Sequence, residues 1–408
     1  MQNANVKFES KHDFTAKLRQ PSLLPNLKNY LDWQRLVRGA NANGGKLPEV
    51  PDWLMPVSIN LDLTTGCNYR CVHCIDADIL NGTSHNHETL MASLENMINC
   101  GLRSVIIIGG GEPTLYAKFE NVVRFLKERG VQVAIVSNGS RNNVILNVID
   151  CLDEKDWVRF SLDAGTNNTF TKMHRPRKII TLDEICSWAP RIRNRNPKVP
   201  LGFSFLITWE GSKNSNGTNI IPNIGEIVEA TRLAYEHEFN YISFKPFLVR
   251  QNDAEVMNPE TMLEFERTVA NIKSAIDEAK SFEKDGFKVI ESTNLKVLEQ
   301  NTWRNFTCQP KTCHIQAFRQ VFTPIGLFNC PGYRGIEKAR INGANAYKNQ
   351  EEMQKARNKT AYLLNNFNAN SECANVTCLF NQANHWIEEN IGNGHNLKPS
   401  IESHDYYF

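Results

Sequence analysis

The sequence predicts an α/β fold followed by a smaller α+β domain, and three observations carry that expectation. From Val57 to Leu248, short β-prone runs alternate with stretches of helical periodicity, the pattern of βα units and a parallel sheet. Polar or glycine-rich tips follow the first four of these runs, at the strand ends where parallel sheets gather ligands. Beyond residue 300 the alternation gives way to a hairpin pattern, further helical stretches and a second group of cysteines.

In chain order, residues 1–55 read as an extension capping one end of the sheet domain. Leu27, Tyr30, Leu31, Leu36 and Val37 share a helical face there, and a loop rich in Gly, Asn and Pro follows at 41–51. Residues 56–255 form the core. Strands are expected at about 57–63, 103–108, 132–137, 158–162, 201–208 and 241–248, with helices at about 87–100, 119–129, 142–151, 182–193 and 224–237. Six such units are too few to close an eight-stranded barrel. Residues 256–300 read as a helical connector, with Met262, Phe265, Val269, Ile272 and Ile276 on one apolar stripe. Residues 301–408 form the small domain, with a hairpin over Phe318 to Cys330 turning at Thr323-Pro-Ile-Gly326 and helices at 345–367 and 377–391.

Composition narrows the function classes. With 46 basic and 44 acidic residues among 408, the chain has no global field with which to hold a nucleic acid or an acidic membrane. The start, Met1-Gln-Asn-Ala-Asn, lacks a basic-then-apolar signal pattern, and no uncharged apolar run reaches eighteen residues. The expectation is a cytoplasmic protein without nucleic-acid or membrane partners. Eleven cysteines in such a chain fit thiols kept reduced for metal better than a disulfide framework.

Cys67, Cys71 and Cys74 stand in a C-x3-C-x2-C array. Thiolate is the soft ligand that selects zinc, Cu(I) or iron-sulfur clusters, and three of them leave one position of a cubane open. A zinc knuckle completed by His73 or a distant thiol is the alternative from spacing alone. Together with Gly109-Gly-Gly-Glu-Pro113 at the end of an apolar run, the array resembles the radical S-adenosylmethionine (SAM) enzymes over about residues 55–250. That resemblance implies a partial (β/α)6 TIM-like barrel and a 4Fe-4S cluster held by Cys67, Cys71 and Cys74, whose open iron chelates SAM. It also implies reductive cleavage of SAM to a 5'-deoxyadenosyl radical that takes hydrogen from a substrate, with an electron donor such as flavodoxin or ferredoxin.

The resemblance further assigns Glu112 to the amino group of SAM, Ser137 and Asn138 to its ribose or carboxylate, and Ser161 and Asp163 to ribose or substrate. Gly109, Gly110 and Gly111 are expected to allow close backbone approach and positive φ beside the methionine moiety. Ser137-Asn-Gly139 also fits an ordinary strand-ending turn, and Asp163 a helix N-cap. In the basic run Lys172-Met-His-Arg-Pro-Arg-Lys178, mostly a solvated patch, Arg175 is the candidate for an anion. Lys245, amid apolar residues, either faces an anionic group in the barrel or snorkels to the rim. The long polar loop 209–222 offers Glu210 as a substrate contact or proton donor.

The later cysteines, with the hairpin, resemble the auxiliary-cluster domains called SPASM and twitch. A full SPASM domain needs about seven cysteines; Cys313, Cys330, Cys373 and Cys378 supply four, enough for one auxiliary 4Fe-4S cluster, with Cys308 spare or exchangeable with Cys313. The interval from Gly326 to Cys330 is one residue shorter than the usual spacing. A structural zinc site with four cysteines is the alternative. Cys100, Cys151 and Cys186 read as small core residues. Two substrate classes follow: a sugar, aminocyclitol or nucleotide-like small molecule undergoing dehydrogenation, epimerisation or elimination, and a peptide matured in the SPASM manner. A non-catalytic, cysteine-rich metal-binding scaffold is the reading from another class, and it has no use for the glycine motif.

Overall fold

A computed structural model of the chain describes residues 13–393 and 397–408. Residues 1–12, on which the reading of the N-terminus rests, lie outside them. Twelve strands are found among the described residues: β1 (Ser58–Asp62), β2 (Ser104–Ile108), β3 (Gln132–Ser137), β4 (Trp157–Ser161), β5 (Leu201–Ile207), β6 (Tyr241–Pro246), β7 (Val249–Gln251), β8 (Ala254–Val256), β9 (Lys288–Glu291), β10 (Arg319–Thr323), β11 (Gly326–Phe328) and β12 (Arg340–Asn342). Ten of them form one sheet in the order β12-β11-β10-β1-β2-β3-β4-β5-β6-β9, parallel from β10 to β9, with β11 and β12 antiparallel. Among the described residues the sheet is open; no pairing joins its two edges.

Sequential parallel strands joined by right-handed crossovers place their helices on one face. The sequence prepares that face: Ile59, Leu61, Val105, Ile107, Val133, Ile135, Val158, Phe160, Phe203, Phe205, Ile242 and Phe244 are all fully buried in one apolar cluster with the helices. The intervening residues point the other way, because side chains alternate along a strand. Asn60, Asp62, Arg159, Ser161, Ser204, Ser243 and Lys245 therefore occupy the inner face, where polar chemistry can collect.

Several elements differ from expectation. The helix expected over 142–151 is one short helix, Asn142–Leu146, followed by a 3-10 turn, Ile149–Cys151. That over 182–193 is two, Leu182–Cys186 and Trp188–Arg195, preceded by an unexpected helix, Asn167–His174. The connector is not wholly helical: after Phe265–Ala279 it supplies β9, which extends the sheet beyond β6. The C-terminal hairpin turns where expected but joins the same sheet, β10 lying parallel to β1 from Ser58↔Arg319 to Leu61↔Phe322.

The N-terminal helix, Leu24–Asn43, has Pro25 in its first turn and ends at Gly44, whose φ of 61° is the left-handed cap glycine accepts readily. Its buried face (Leu27, Tyr30, Leu31, Val37) packs with Ile315, Phe318 and Ile387, the last on helix Asn381–Asn393. The same cluster holds Leu54 and Val57, just before β1, so the helix packs against the start of that strand as well as the C-terminal region. The starts of β2 and β3 are covered by the tail 397–408. Ser104 Oγ donates to Tyr406 O (2.6 Å), Gln132 Nε2 to His404 O (2.6 Å) and Tyr406 N to Gln132 Oε1 (2.9 Å). No helix among the described residues is long and apolar enough to cross a membrane.

Candidate active site

The loop after β1 carries Cys67, Cys71 and Cys74, and three neighbouring segments clamp its backbone. Arg70 N and Val72 N donate to His174 O (3.1 Å) and Met173 O (2.8 Å) at the end of helix Asn167–His174, and Asn214 Nδ2, from the loop 209–222, donates to Val72 O (3.0 Å). From the other side Glu112 N donates to Gly66 O (2.8 Å). A Cβ on Gly111 would lie 2.2 Å from Gly66 O and one on Gly109 2.0 Å from Gly111 O, so side chains are excluded at both positions. None of Gly109, Gly110 and Gly111 has positive φ. The expectation of left-handed backbone there is corrected: the glycines are required by close packing of the motif on itself and on the thiol loop. Gly110 N donates to Asp62 Oδ2 (3.0 Å) at the end of β1.

Glu112 is 2% exposed and joins three strand ends. Its Oε1 accepts from Thr114 N (3.1 Å), Thr114 Oγ1 (2.6 Å) and Ser137 Oγ (2.8 Å), and its Oε2 from Asn138 N (2.7 Å). Burial pushes this carboxyl up from its ordinary value, opposed by those hydrogen bonds. Asn138 Nδ2 donates to Asn68 Oδ1 (2.9 Å), which returns the network to the thiol loop. Ser137 and Asn138 thus hold Glu112 and the loop together.

Asp163 is 1% exposed, with φ of 52°. Its Oδ1 accepts from Leu206 N (2.7 Å), and its Oδ2 lies 3.1 Å from His73 Nε2 and 3.5 Å from His174 Nε2. Burial alone would raise this carboxyl, but the hydrogen bond to His73 and the neighbouring imidazoles hold it below its ordinary value. The N-cap of the next helix is Thr166, not Asp163. The N-cap expectation for Asp163 is corrected; its carboxylate braces His73 within the thiol motif. Burial drives His174 down to about 4. Its Nε2 donates to Leu162 O (2.9 Å), which leaves Nδ1 to accept from the Cys71 thiol at 3.2 Å. The sequence offers His73 only as a possible zinc ligand and does not single out His174; the partners of both lie far along the chain, and no local pattern marks the pairing.

Arg175 is exposed and caps the helix in the left-handed region (φ 46°), and Glu210 is exposed at its loop tip. The Arg175 carbonyl accepts from Arg70 N of the thiol loop (3.2 Å), but neither residue is buried in this cluster; the buried members of the basic run are Met173 and His174. Ser161 and Lys245 are half-buried on the inner face.

Toward the C-terminal region, Arg334 is 5% exposed, with Nε 2.8 Å from Asp62 Oδ2 and Nη1 2.6 Å from Asp76 Oδ2. Beyond it lies a cavity lined by Cys313, Cys330, Cys373 and Cys378 together with Glu255 and Arg319. Cys308 is exposed and does not line it. His314 fixes the start of this wall: its Nδ1 pairs with Tyr30 Oη (2.7 Å) and its Nε2 with Glu388 Oε2 (2.8 Å). Burial, then the charge of Cys330, raises the Cys313 thiol to about 12, and burial raises the other three. Four thiols crowded out of water need a cation to become thiolates.

All eleven cysteines are unpaired. Among the described residues, the donor group whose ligand atoms all lie within 4.8 Å of one another is Cys71, His73 and His174, and its imidazoles are engaged with Leu162, Asp163 and Cys71 itself. Neither thiol set shows the spacing of donors around one zinc, whose bonds to sulfur are about 2.3 Å. Both are chemically suited to a larger, sulfur-loving group.

The site is thus a three-thiol loop locked onto the glycine-rich end of a strand in an open parallel sheet. Residues 61–208 match the radical SAM superfamily, and this segment is a radical SAM domain; that superfamily uses a 4Fe-4S cluster and SAM. An S-adenosylmethionine-dependent nucleotide dehydratase of Selenomonas ruminantium is 25% identical over 185 residues, 44% of this chain and 64% of that one. The mycofactocin maturase MftC of Mycobacterium ulcerans is 31% identical over 118 residues, 27% of this chain and 30% of that one. The chain thus spans less than two thirds of the length of these relatives. Streptococcus suis SuiB bound to S-adenosylmethionine shares the fold, with a TM-score of 0.52 and 14% identity over 73% of this chain and 65% of that one.

Proposed function

We propose that the chain is a radical SAM enzyme in which Cys67, Cys71 and Cys74 hold a 4Fe-4S cluster and SAM binds beside Glu112, Ser137 and Asn138. The observation that carries this reading is the clamp of the three-thiol loop onto Gly109–Glu112; three thiols would leave one iron of a cubane without a protein thiol. The cluster and SAM, when bound, supply reductive cleavage of the sulfonium and an adenosyl radical that abstracts hydrogen. The chain's own residues orient and exclude. His73 and Asp163 brace the loop from below, Glu112 ties three strand ends, and the loop 209–222 covers Val72.

Cys313, Cys330, Cys373 and Cys378 hold one auxiliary 4Fe-4S cluster in this reading, supported by their sharing one cavity wall. The substrate is a small molecule of nucleotide-like or sugar-like chemistry, a class favoured by the nucleotide dehydratase relatives; an electron donor such as flavodoxin or ferredoxin feeds the cluster. Eleven unpaired cysteines accord with a reducing cytoplasm. Peptide maturation is the second reading, favoured by the auxiliary cavity and the maturase relative. Anaerobically reconstituted protein with dithionite and SAM is expected to release 5'-deoxyadenosine, and Cys71→Ala protein none. Wild-type protein that binds iron but leaves SAM intact would contradict the proposal.

A further inference from the structure

The inner face of β4, β5 and β6 carries side chains that neither the thiol loop nor the auxiliary cavity uses. The strand register sets them in rows. Arg159 lies beside Gly202 and Gly202 beside Tyr241; Ser161 beside Ser204 and Ser204 beside Ser243; Leu206 beside Lys245. Arg159 and Lys245 stand four residue levels apart, about 13 Å along the strands. Both side chains are long enough to converge over the serine row between them.

Both cations are half-buried; neither forms an ion pair with a described residue, and the Arg159 guanidinium lies 5.0 Å from the centre of the Trp157 ring. Arg159 Nε is buried without a hydrogen-bond partner. Burial and the charge of Arg159 push Lys245 well below its ordinary value, and the anion acting on both is Asp163, which is already engaged by His73 and Leu206 N. The hydroxyls of Ser161, Ser204 and Ser243 make no hydrogen bond to a described residue. At Gly202 a Cβ would fall 2.1 Å from the Tyr241 ring, so the missing side chain lets that ring lie across the wall beside Arg159. Two sheltered cations without counter-charge cost stability unless an anion joins them. A guanidinium fork, an ammonium and three free hydroxyls offer more donors than a carboxylate's two oxygens accept, and they suit the oxygens of a phosphate.

The geometry points to a phosphate-binding subsite on this wall, formed by Arg159, Lys245 and the Ser161, Ser204, Ser243 row, that holds the phosphoryl group of the substrate. The inference rests on the small-molecule reading above and narrows it to phosphorylated compounds. Arg159 grips the phosphate from below, Lys245 closes over it from the strand ends, and the rest of the substrate projects toward the thiol loop.

Calorimetric titration of the full-length, reconstituted protein tests this, with inorganic phosphate and matched pairs of nucleosides and nucleoside 5'-monophosphates as probes. Monophosphates are expected to bind at least tenfold more tightly than their nucleosides, with inorganic phosphate competing. Arg159→Gln and Lys245→Gln should each lose tenfold or more of that preference, while Arg159→Lys and Lys245→Arg, which keep the charge and report on folding, should stay within about threefold of wild type. Equal binding of nucleosides and monophosphates would overturn the subsite. So would a parallel loss of SAM affinity in the Gln variants, since the cations would then serve the carboxylate of SAM. Failure of SAM cleavage in wild-type protein would overturn the proposed enzyme and leave this binding result standing.

Discussion

Arg334, four residues beyond Cys330, places its guanidinium Nε 2.8 Å from the carboxylate of Asp62 at the end of β1. The same side chain reaches Asp76, two residues beyond Cys74, at 2.6 Å. One buried arginine therefore joins the strand under the glycine motif, the thiol loop and the wall of the second cysteine cavity. Replacing it leaves two carboxylates facing each other out of water. Arg334→Met is expected to cost about 3 kcal/mol of stability, read as a lower urea midpoint. A loss below about 0.5 kcal/mol would mean that the pairing is structurally idle.

The two thiol sets should separate in an iron assay. Reconstituted wild-type protein is expected to carry about eight iron and eight sulfide. Cys330→Ala or Cys378→Ala should carry about half, whereas Cys308→Ala should match wild type because its thiol stands outside the cavity. Zinc in place of iron and sulfide would reject both cluster assignments.

Gly111 has no room for a methyl group, which would meet Gly66 O at 2.2 Å and Thr64 O at 2.7 Å, both backbone atoms. Gly111→Ala is expected to displace the thiol loop and abolish measurable SAM binding in equilibrium dialysis. Gly39→Ala is the control: nothing lies within 4 Å of its added Cβ, and in mid-helix the change should stabilise by up to about 1 kcal/mol.

Glu388 gives a pH signature. Its hydrogen bond to His314, then its bond to Arg38, lower its carboxyl to about 2. A carboxyl whose folded value is depressed contributes stability above its unfolded value of about 4.3, and the contribution fades as pH falls toward 2. Because Glu388 is partly exposed, the contribution is about 1 kcal/mol. The stability difference between wild type and Glu388→Gln should be full at pH 6 and shrink steadily below pH 4.5 in chemical denaturation; a difference constant to pH 2.5 would contradict the pairing.

The parts that local pattern governs were legible. Alternating apolar runs mark β1 to β6, and Thr323-Pro-Ile-Gly326 marks the β10–β11 turn, because each depends on residues adjacent in sequence. Strand β9 is four residues long and follows a helix, too brief for periodicity to show. The covering of the starts of β2 and β3 by Tyr406 and His404, the bracing of His73 by Asp163 and the reach of Arg334 to Asp62 join residues distant in the chain, and nothing local announces them. The same limit explains Arg175 and His174: a basic run draws attention to its charges, while the fold buries the imidazole and leaves the guanidinium in water.

The central claim is an iron with no protein thiol, open to SAM. Electron paramagnetic resonance of dithionite-reduced Cys330→Ala protein, freed of the auxiliary cluster, tests it most directly. Adding SAM is expected to shift the g-values of the reduced cluster and leave its spin count unchanged. A spectrum identical with and without saturating SAM would show that position closed.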